Sequence, residues 1–483
     1  MSPGRRAGVP TEMRLALLCL SVVCATAAAT ATPAHGRSDA VTIFEAPREL
    51  RSGDPSLRAA TLDEIRDLGA GWLRVVLYWR DVAPDPEAQE VPHFDERDPA
   101  AYDWTVYDRI IRAADARGLN VLLTISGPVP RWATRARRDH VTRPSATRFG
   151  RFAEAAGRRY GAIVDAWAIW NEPNHPKFLR PQWTGYRTPT SAAIYRRLFQ
   201  RGERGLAAAG IGSVPVLFGE TAPRGTGHVV HPLVFLRRAM CLDPRYRRGR
   251  GCHRLRADGY AHHPYTTRSG PFFRPPSRDD VTIGSLSRLN RALARAGRAG
   301  AVRRGLPLWL TEFGIQSYPD RQVGVPQTRQ AEFLALSERL ARRNPRVVSF
   351  SQYLMRDSDA IGGGASAATT RHPGFESGLR TSSGEPKRAF RGFRLPLVAL
   401  RGRARTTLWG FVRRSGGATH VTIEYRNGNR GTWRGLKRDS TDRHGIWSTT
   451  TAWRRDRRYR VRWTDRAGRV WVGSPTRVYA RPR

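Results

Sequence analysis

The chain has 483 residues, too many for one ordinary domain and enough for a large barrel followed by a small module. Hydrophobic residues make up 40 % and charged residues 26 %, a globular balance that excludes wholesale disorder. Lys and Arg total 83 against 41 Asp and Glu, a formal net charge of +42; the charge is spread along the chain with no helix-turn-helix, zinc-finger or RNA-binding signature, so no specific nucleic-acid function is expected.

Residues 1–34 read as a secretory signal peptide. Arg5, Arg6 and Arg14 give a positive start, Leu15 to Val23 is a short apolar run, and Ala25 to Ala34 is rich in small residues. The run is too short to span a bilayer, and no other apolar stretch of spanning length follows. The processed chain is therefore expected to be secreted or held at the cell surface, with no transmembrane span.

Over residues 40–393 short β-rich runs alternate with longer amphipathic stretches. The predicted strands are Val41–Phe44, Trp72–Trp79, Asn120–Ser126, Val164–Asn171, Val214–Glu220, Ala257–Tyr265, Leu306–Phe313 and Val347–Leu354. Helical spacing covers Leu62–Leu68, Tyr107–Arg117, Ala146–Tyr160, Ala192–Ala209, Leu286–Ala299 and Gln330–Arg342. This alternation predicts an α/β fold, a (β/α)8 TIM barrel. Between the fifth and sixth strands, Cys241 and Cys252 flank a basic, glycine-containing loop and are expected to pair in an oxidising compartment. No four-ligand spacing accompanies them, so no metal is expected.

After Phe393 the helical pattern stops. Residues 395–483 carry short alternating runs at Thr407–Val412, His420–Tyr425, Ile446–Thr450, Tyr459–Trp463, Arg469–Val472 and Thr476–Tyr479, divided by turns such as Asn427-Gly428. This predicts a small all-β sandwich, Ig-like or fibronectin-like. The module holds 22 Lys and Arg against 5 Asp and Glu, and six of the chain's 14 tryptophans. Two readings follow: a structural sandwich with tryptophans in its core, or a module that binds glycan or anionic cell-wall polymers.

In a barrel of this kind the chemistry sits at the carboxyl ends of the strands. Strand four runs Trp167-Ala168-Ile169-Trp170-Asn171-Glu172-Pro173-Asn174, and strand seven runs Leu308-Trp309-Leu310-Thr311-Glu312-Phe313-Gly314. Each apolar strand delivers one glutamate at its end. Two carboxylates across a cleft are what glycosidic hydrolysis requires: one protonates the leaving oxygen, the other attacks or guides water. Trp79, Trp132, Trp170 and Trp183 fall at strand ends or in the loops that follow, where aromatic faces can stack on sugar rings.

The Trp-Asn-Glu-Pro-Asn and Thr-Glu-Phe-Gly runs resemble the clan A retaining glycoside hydrolases, over roughly residues 40–393. The resemblance implies a carbohydrate substrate with β-linked sugars, and no cofactor is expected. Glu172 would be the general acid/base, Glu312 the nucleophile, and Asn171 a partner for the sugar 2-hydroxyl. Arg74 matches the clan's arginine beside the nucleophile. Strand six ends His262-His263-Pro264-Tyr265, where the clan places a histidine and a tyrosine that donates to the nucleophile; alternation turns only one of the two histidines inward and leaves open which. Strand eight departs from the pattern, with Tyr353 or Gln352 where many members present a tryptophan. Strand seven looks more like family 5; strand four and Pro386–Phe390 look more like family 39. A catalytically silent carbohydrate-binding barrel, or a basic cell-surface protein that binds polyanions, would carry many of the same residues.

Overall fold

In the computed structural model, which describes residues 39–185, 188–358 and 374–480, eight parallel strands close on one another in sequence order. They are β1 (Val41–Glu45), β2 (Trp72–Tyr78), β3 (Asn120–Ser126), β4 (Val164–Ile169), β5 (Val216–Thr221), β6 (Gly259–His262), β7 (Leu308–Leu310) and β8 (Val347–Tyr353). β8 returns to β1, with Val41 opposite Ser349 and Glu45 opposite Tyr353, so the barrel has no open edge. The expected signal segment lies outside the described residues. No helix among the described residues is long and apolar enough to cross a membrane.

The helices follow from spacing and caps. The helix Ala146–Tyr160 starts where the Ser145 hydroxyl accepts the Arg148 amide, and it buries Phe149, Phe152, Ala153, Ala156 and Tyr160 at intervals of three and four. The helix Pro55–Asp67 starts with Asp54 accepting the Ser56 amide and proline in its first turn. Besides the short helices Pro47–Leu50, Trp79–Val82 and Arg388–Arg394, the helix Pro232–Ala239 lies outside the predicted set; it leads directly into the bonded pair Cys241–Cys252.

Inside the barrel, Ile43, Leu122, Ala166, Ala168, Leu217, Ala261 and Trp309 fill the lumen. Above them the strands carry polar residues instead. Arg74, Thr124 and Glu220 are each buried to 1 % exposure or less. Buried polar groups need partners, and that requirement builds the site described below.

The C-terminal module has eight strands: β9 (Leu397–Arg401), β10 (Arg405–Phe411), β11 (His420–Asn427), β12 (Arg434–Ser440), β13 (Ile446–Ala452), β14 (Arg457–Thr464), β15 (Val470–Val472) and β16 (Thr476–Ala480). They run in the order β12-β11-β14-β16-β9-β10-β13, with β15 added on β14, and wrap an apolar core that includes Leu408, Ile423, Trp447, Tyr459 and Trp463. The fold class is thus a TIM barrel followed by a β-sandwich. β9 and β12 are additions to the expected strands. β9 alternates between two interiors: Leu397 and Ala399 join the module core, while Val398 and Leu400 join the barrel's. Arg413 closes the junction. It is fully buried, donates to the Thr42 hydroxyl at 2.9 Å, to Glu338 Oε1 at 2.7 Å and also to Glu338 Oε2. Glu338 lies on the barrel helix Gln327–Arg342.

Candidate active site

The carboxyl ends of the strands converge on a cavity of about 390 Å³. Beyond the end of β4 the backbone turns sharply: Trp170 and Glu172 both have positive φ, 73° and 40°, as does Glu220 on β5 at 46°. Such conformations are costly for residues with a side chain and cluster at functional sites. They turn the Trp170 ring back into the core and leave Asn171 and Glu172 on the cavity wall. Gly127 makes room for that ring, since a Cβ there would sit 2.7 Å from it.

Arg74, near the middle of β2, organises the floor. Nη1 donates to Glu45 Oε2 at 2.5 Å and to Glu312 Oε2 at 2.9 Å; Nε and Nη2 donate to Glu220 at 3.1 and 2.7 Å; Nη2 also donates to Asn171 Oδ1 at 2.7 Å. One planar guanidinium therefore fixes three carboxylates and one amide. Because Asn171 Oδ1 is taken by Arg74, its NH2 group is left to donate to a ligand.

Glu312 is gripped at both oxygens. Tyr265 donates its hydroxyl to Oε1 at 2.7 Å, and Arg74 holds Oε2. Burial alone would raise its pKa, but His263, Arg74 and Tyr265 together hold it below the usual carboxylate range. Glu312 is thus kept ionised. Tyr265 is pushed up by burial and by Glu312, so it keeps the proton it donates.

Glu172 accepts from His263 Nδ1 at 3.0 Å, and the same nitrogen lies 3.7 Å from Glu312 Oε2. Burial opposes charge on His263, but Glu312 and the bond to Glu172 hold its pKa above the ordinary value. Nδ1 and one oxygen from each carboxylate all lie within 4.8 Å of one another. Such a trio has the donors and the size to hold a cation. Here Arg74 already supplies positive charge beside Glu312, and the raised pKa of His263 favours a second positive charge between the two carboxylates.

The structure sorts the two histidines. His262 bonds Thr221 and the Val281 carbonyl, each at 2.9 Å, and burial pushes its pKa down to about 3, which makes it a neutral structural residue. His263 is the one that meets the carboxylates. Tyr353 lines the cavity and packs edge-on against Phe375, whereas Gln352 faces the other side of the strand and donates to the Leu354 and Ser377 carbonyls.

None of the four tryptophans expected on the cavity wall lines it, Trp170 being turned into the core as described. Trp79 is fully buried and stacks at 5.1 Å on Phe152; Trp132 packs edge-on against it at 5.6 Å. Both are core, because the residues just past β2 and β3 fold down beneath the helix Ala146–Tyr160. Trp183 lines a separate cavity with Pro176 and Arg180. Two glutamates, Glu45 and Glu220, belong to the site although sequence reasoning passed over them. Their signal was the one used for Glu172 and Glu312, a carboxylate closing an apolar strand. Burial pushes Glu45 up to about 7 against the pull of Arg74.

No family model matches the chain, and no curated protein does. Among solved structures it is similar to a family 39 glycoside hydrolase from the gut symbiont Bacteroides cellulosilyticus WH2 (14 % identity, 87 % of this chain and 82 % of that one, TM-score 0.48). It is also similar to GH5_18 from Streptomyces cattleya (17 % identity, 74 % and 79 % covered, TM-score 0.48) and to the β-glycosidase from Thermosphaera aggregans (14 %, 74 % and 95 %, TM-score 0.47).

Proposed function

We propose that the chain is a retaining glycoside hydrolase of clan A that acts, secreted or at the cell surface, on a β-linked oligo- or polysaccharide. The observation that carries this reading is the pair Glu172 and Glu312, with oxygens within 4.8 Å of each other and unlike surroundings. Double displacement needs carboxyls about 5–5.5 Å apart, whereas inversion needs about 6.5–9.5 Å to admit a water between them.

In this mechanism Glu312 attacks the anomeric carbon while Glu172 gives its proton to the leaving oxygen, and the glycosidic C–O bond breaks. Glu172, now a carboxylate, takes a proton from water; the hydroxide attacks from the face the leaving group left, opposite the ester bond to Glu312, and displaces the Glu312 carboxylate, so that two inversions retain the configuration. Asn171 donates to the 2-hydroxyl, a bond that strengthens as charge develops on the ring. Arg74 and Tyr265 keep the nucleophile ionised and aimed.

Lys177 and Arg224 stand at the mouth, in the same cavity wall as Glu172. Among the described residues neither has a carboxylate partner, so they favour a substrate whose leaving-group side carries negative charge.

Replacement of the two glutamates tests the reading. Glu312→Ala should abolish turnover, and azide should restore it with inverted product. Glu172→Ala should mainly slow substrates with poor leaving groups, and azide should rescue with retention. Glycan binding with no turnover of any aryl glycoside or polysaccharide would favour the silent sugar-binding barrel.

A further inference from the structure

A second polar cavity, of about 580 Å³, lies in the C-terminal module, away from the barrel mouth. Six arginines line it: Arg401, Arg454, Arg455, Arg457, Arg458 and Arg477. Its only acidic lining residue is Asp456. Among the described residues, Arg477 alone of the six has an ion pair, with Glu332 at 3.7 Å.

An arginine-rich chain could produce such a patch anywhere, so a comparison within the molecule matters. A larger cavity on the barrel, about 860 Å³, is lined by Arg204, Arg254, Arg256 and Arg303 but also by Glu203 and Asp258. There the charges are mixed. In the module they are nearly of one sign and face one space.

The fold places them there. Arg458 on β14 lies directly opposite Arg477 on β16 in an antiparallel ladder, so both project from one face. Like charges in that relation destabilise a sheet, a cost that a bound anion would remove. Arg401 ends the neighbouring β9, and its guanidinium covers the Trp453 ring at 4.1 Å. Arg454 and Arg455 sit in the turn between β13 and β14. That turn is tied to the Asn427–Asn429 turn by the Gly428 amide, which donates to the Asp456 carbonyl at 3.0 Å.

We propose that this cleft binds the repeated anionic groups of a polysaccharide, carboxylates or phosphates carried along a sugar chain. Guanidinium forks match both groups bidentately. The volume falls in the range of small-ligand clefts, and a concavity of that kind admits a single sugar chain rather than a nucleic-acid duplex. Arg401 covers a face of Trp453, which counts against base stacking and so against single-stranded nucleic acid. Asn429 adds an amide for sugar hydroxyls. The inference is independent of hydrolysis at the barrel mouth, since it concerns binding alone.

The test is a titration of the full chain with labelled polygalacturonate, polyglycerol phosphate, neutral dextran and duplex DNA at matched charge. Three variants are compared with the parent, and thermal melts verify their folding. The cleft variant is Arg454→Gln/Arg455→Gln/Arg458→Gln, with the turn-only pair Arg454→Gln/Arg455→Gln as a milder form. The control, Arg434→Gln/Arg438→Gln/Arg443→Gln, removes the same charge from exposed sites outside the cavity. The cleft variant should bind an anionic polymer about tenfold more weakly, and the control about as tightly as the parent. Whether polygalacturonate or polyglycerol phosphate responds identifies the group recognised, and either response supports the site. Equal weakening in cleft and control variants, dextran binding as tight as polyanion binding, or tighter binding of DNA would overturn it.

Discussion

Arg74 and Glu312 are 238 residues apart in sequence and 2.9 Å apart in space, and the guanidinium that holds this carboxylate also holds Glu45 and Glu220. Removing Arg74 therefore leaves three buried carboxylates without their cation. Arg74→Met should cost about 3–5 kcal/mol of stability, measured by denaturant unfolding, and should abolish turnover. Arg74→Lys should recover little of either, because an ammonium cannot supply donors to four residues in one plane.

Trp79 separates packing from substrate binding. It sits in an aromatic cluster with Trp132, Phe149 and Phe152. Trp79→Ala should destabilise the fold by about 3–5 kcal/mol while the folded fraction keeps its KM. A raised KM at unchanged stability would return this residue to the cavity wall.

Stability should fall as pH rises from about 4.5 through about 7. His263 has a raised pKa in the folded state, so its contribution is complete below the unfolded value and is lost as pH climbs through the folded one. Glu45, raised from 4.5 to about 7, binds its proton more tightly folded than unfolded, and that advantage also disappears as pH passes about 7. The two slopes have the same sign. Urea unfolding across this range should show the decline, and Glu45→Gln should flatten it. A parent protein that gains stability over the same interval would contradict both assignments.

Lys177→Gln should raise KM for substrates with an anionic leaving-group side by several-fold, leaving kcat and the KM of neutral substrates unchanged. High salt should produce the same selective loss in the parent, because exposed charges are screened. Insensitivity to both would remove Lys177 from the substrate path.

Joining Cys241 to Cys252 closes a short loop, which in the chain-entropy account stabilises by about 3 kcal/mol. No residue of that loop lines the catalytic cavity. The double variant Cys241→Ser/Cys252→Ser should thus melt at a lower temperature and turn over substrate normally while folded.

Much of the barrel was legible because alternation of period two with helical spacing is a local signal, and so were Glu172 and Glu312, which end apolar strands. Glu45 and Glu220 escaped although they end strands too: their role depends on Arg74, a non-local contact. The tryptophans misled for a related reason. A large aromatic beside a strand end can line the mouth or fold under a helix, and Phe152 decides the matter from 73 residues away along the chain. β12 was missed because all seven of its residues are exposed or half-exposed, which leaves no apolar face to alternate. The choice between His262 and His263 needed only the register of one short strand, which alternation by itself does not supply.

The buried grip of Arg413 on Glu338 and Thr42 makes the module a fixed part of the barrel rather than a passenger on a tether. Cutting the chain before β9 would take Arg413 from the buried Glu338, leaving it Arg342 of its own helix at 3.0 Å, and uncover the barrel-facing apolar side of the junction, so a truncated barrel should aggregate instead of working alone. The same weld denies the molecule a hinge. The arginine cleft and the barrel mouth keep one mutual bearing, and a long polymer held in the first would meet the second at a set offset, as if measured on a ruler.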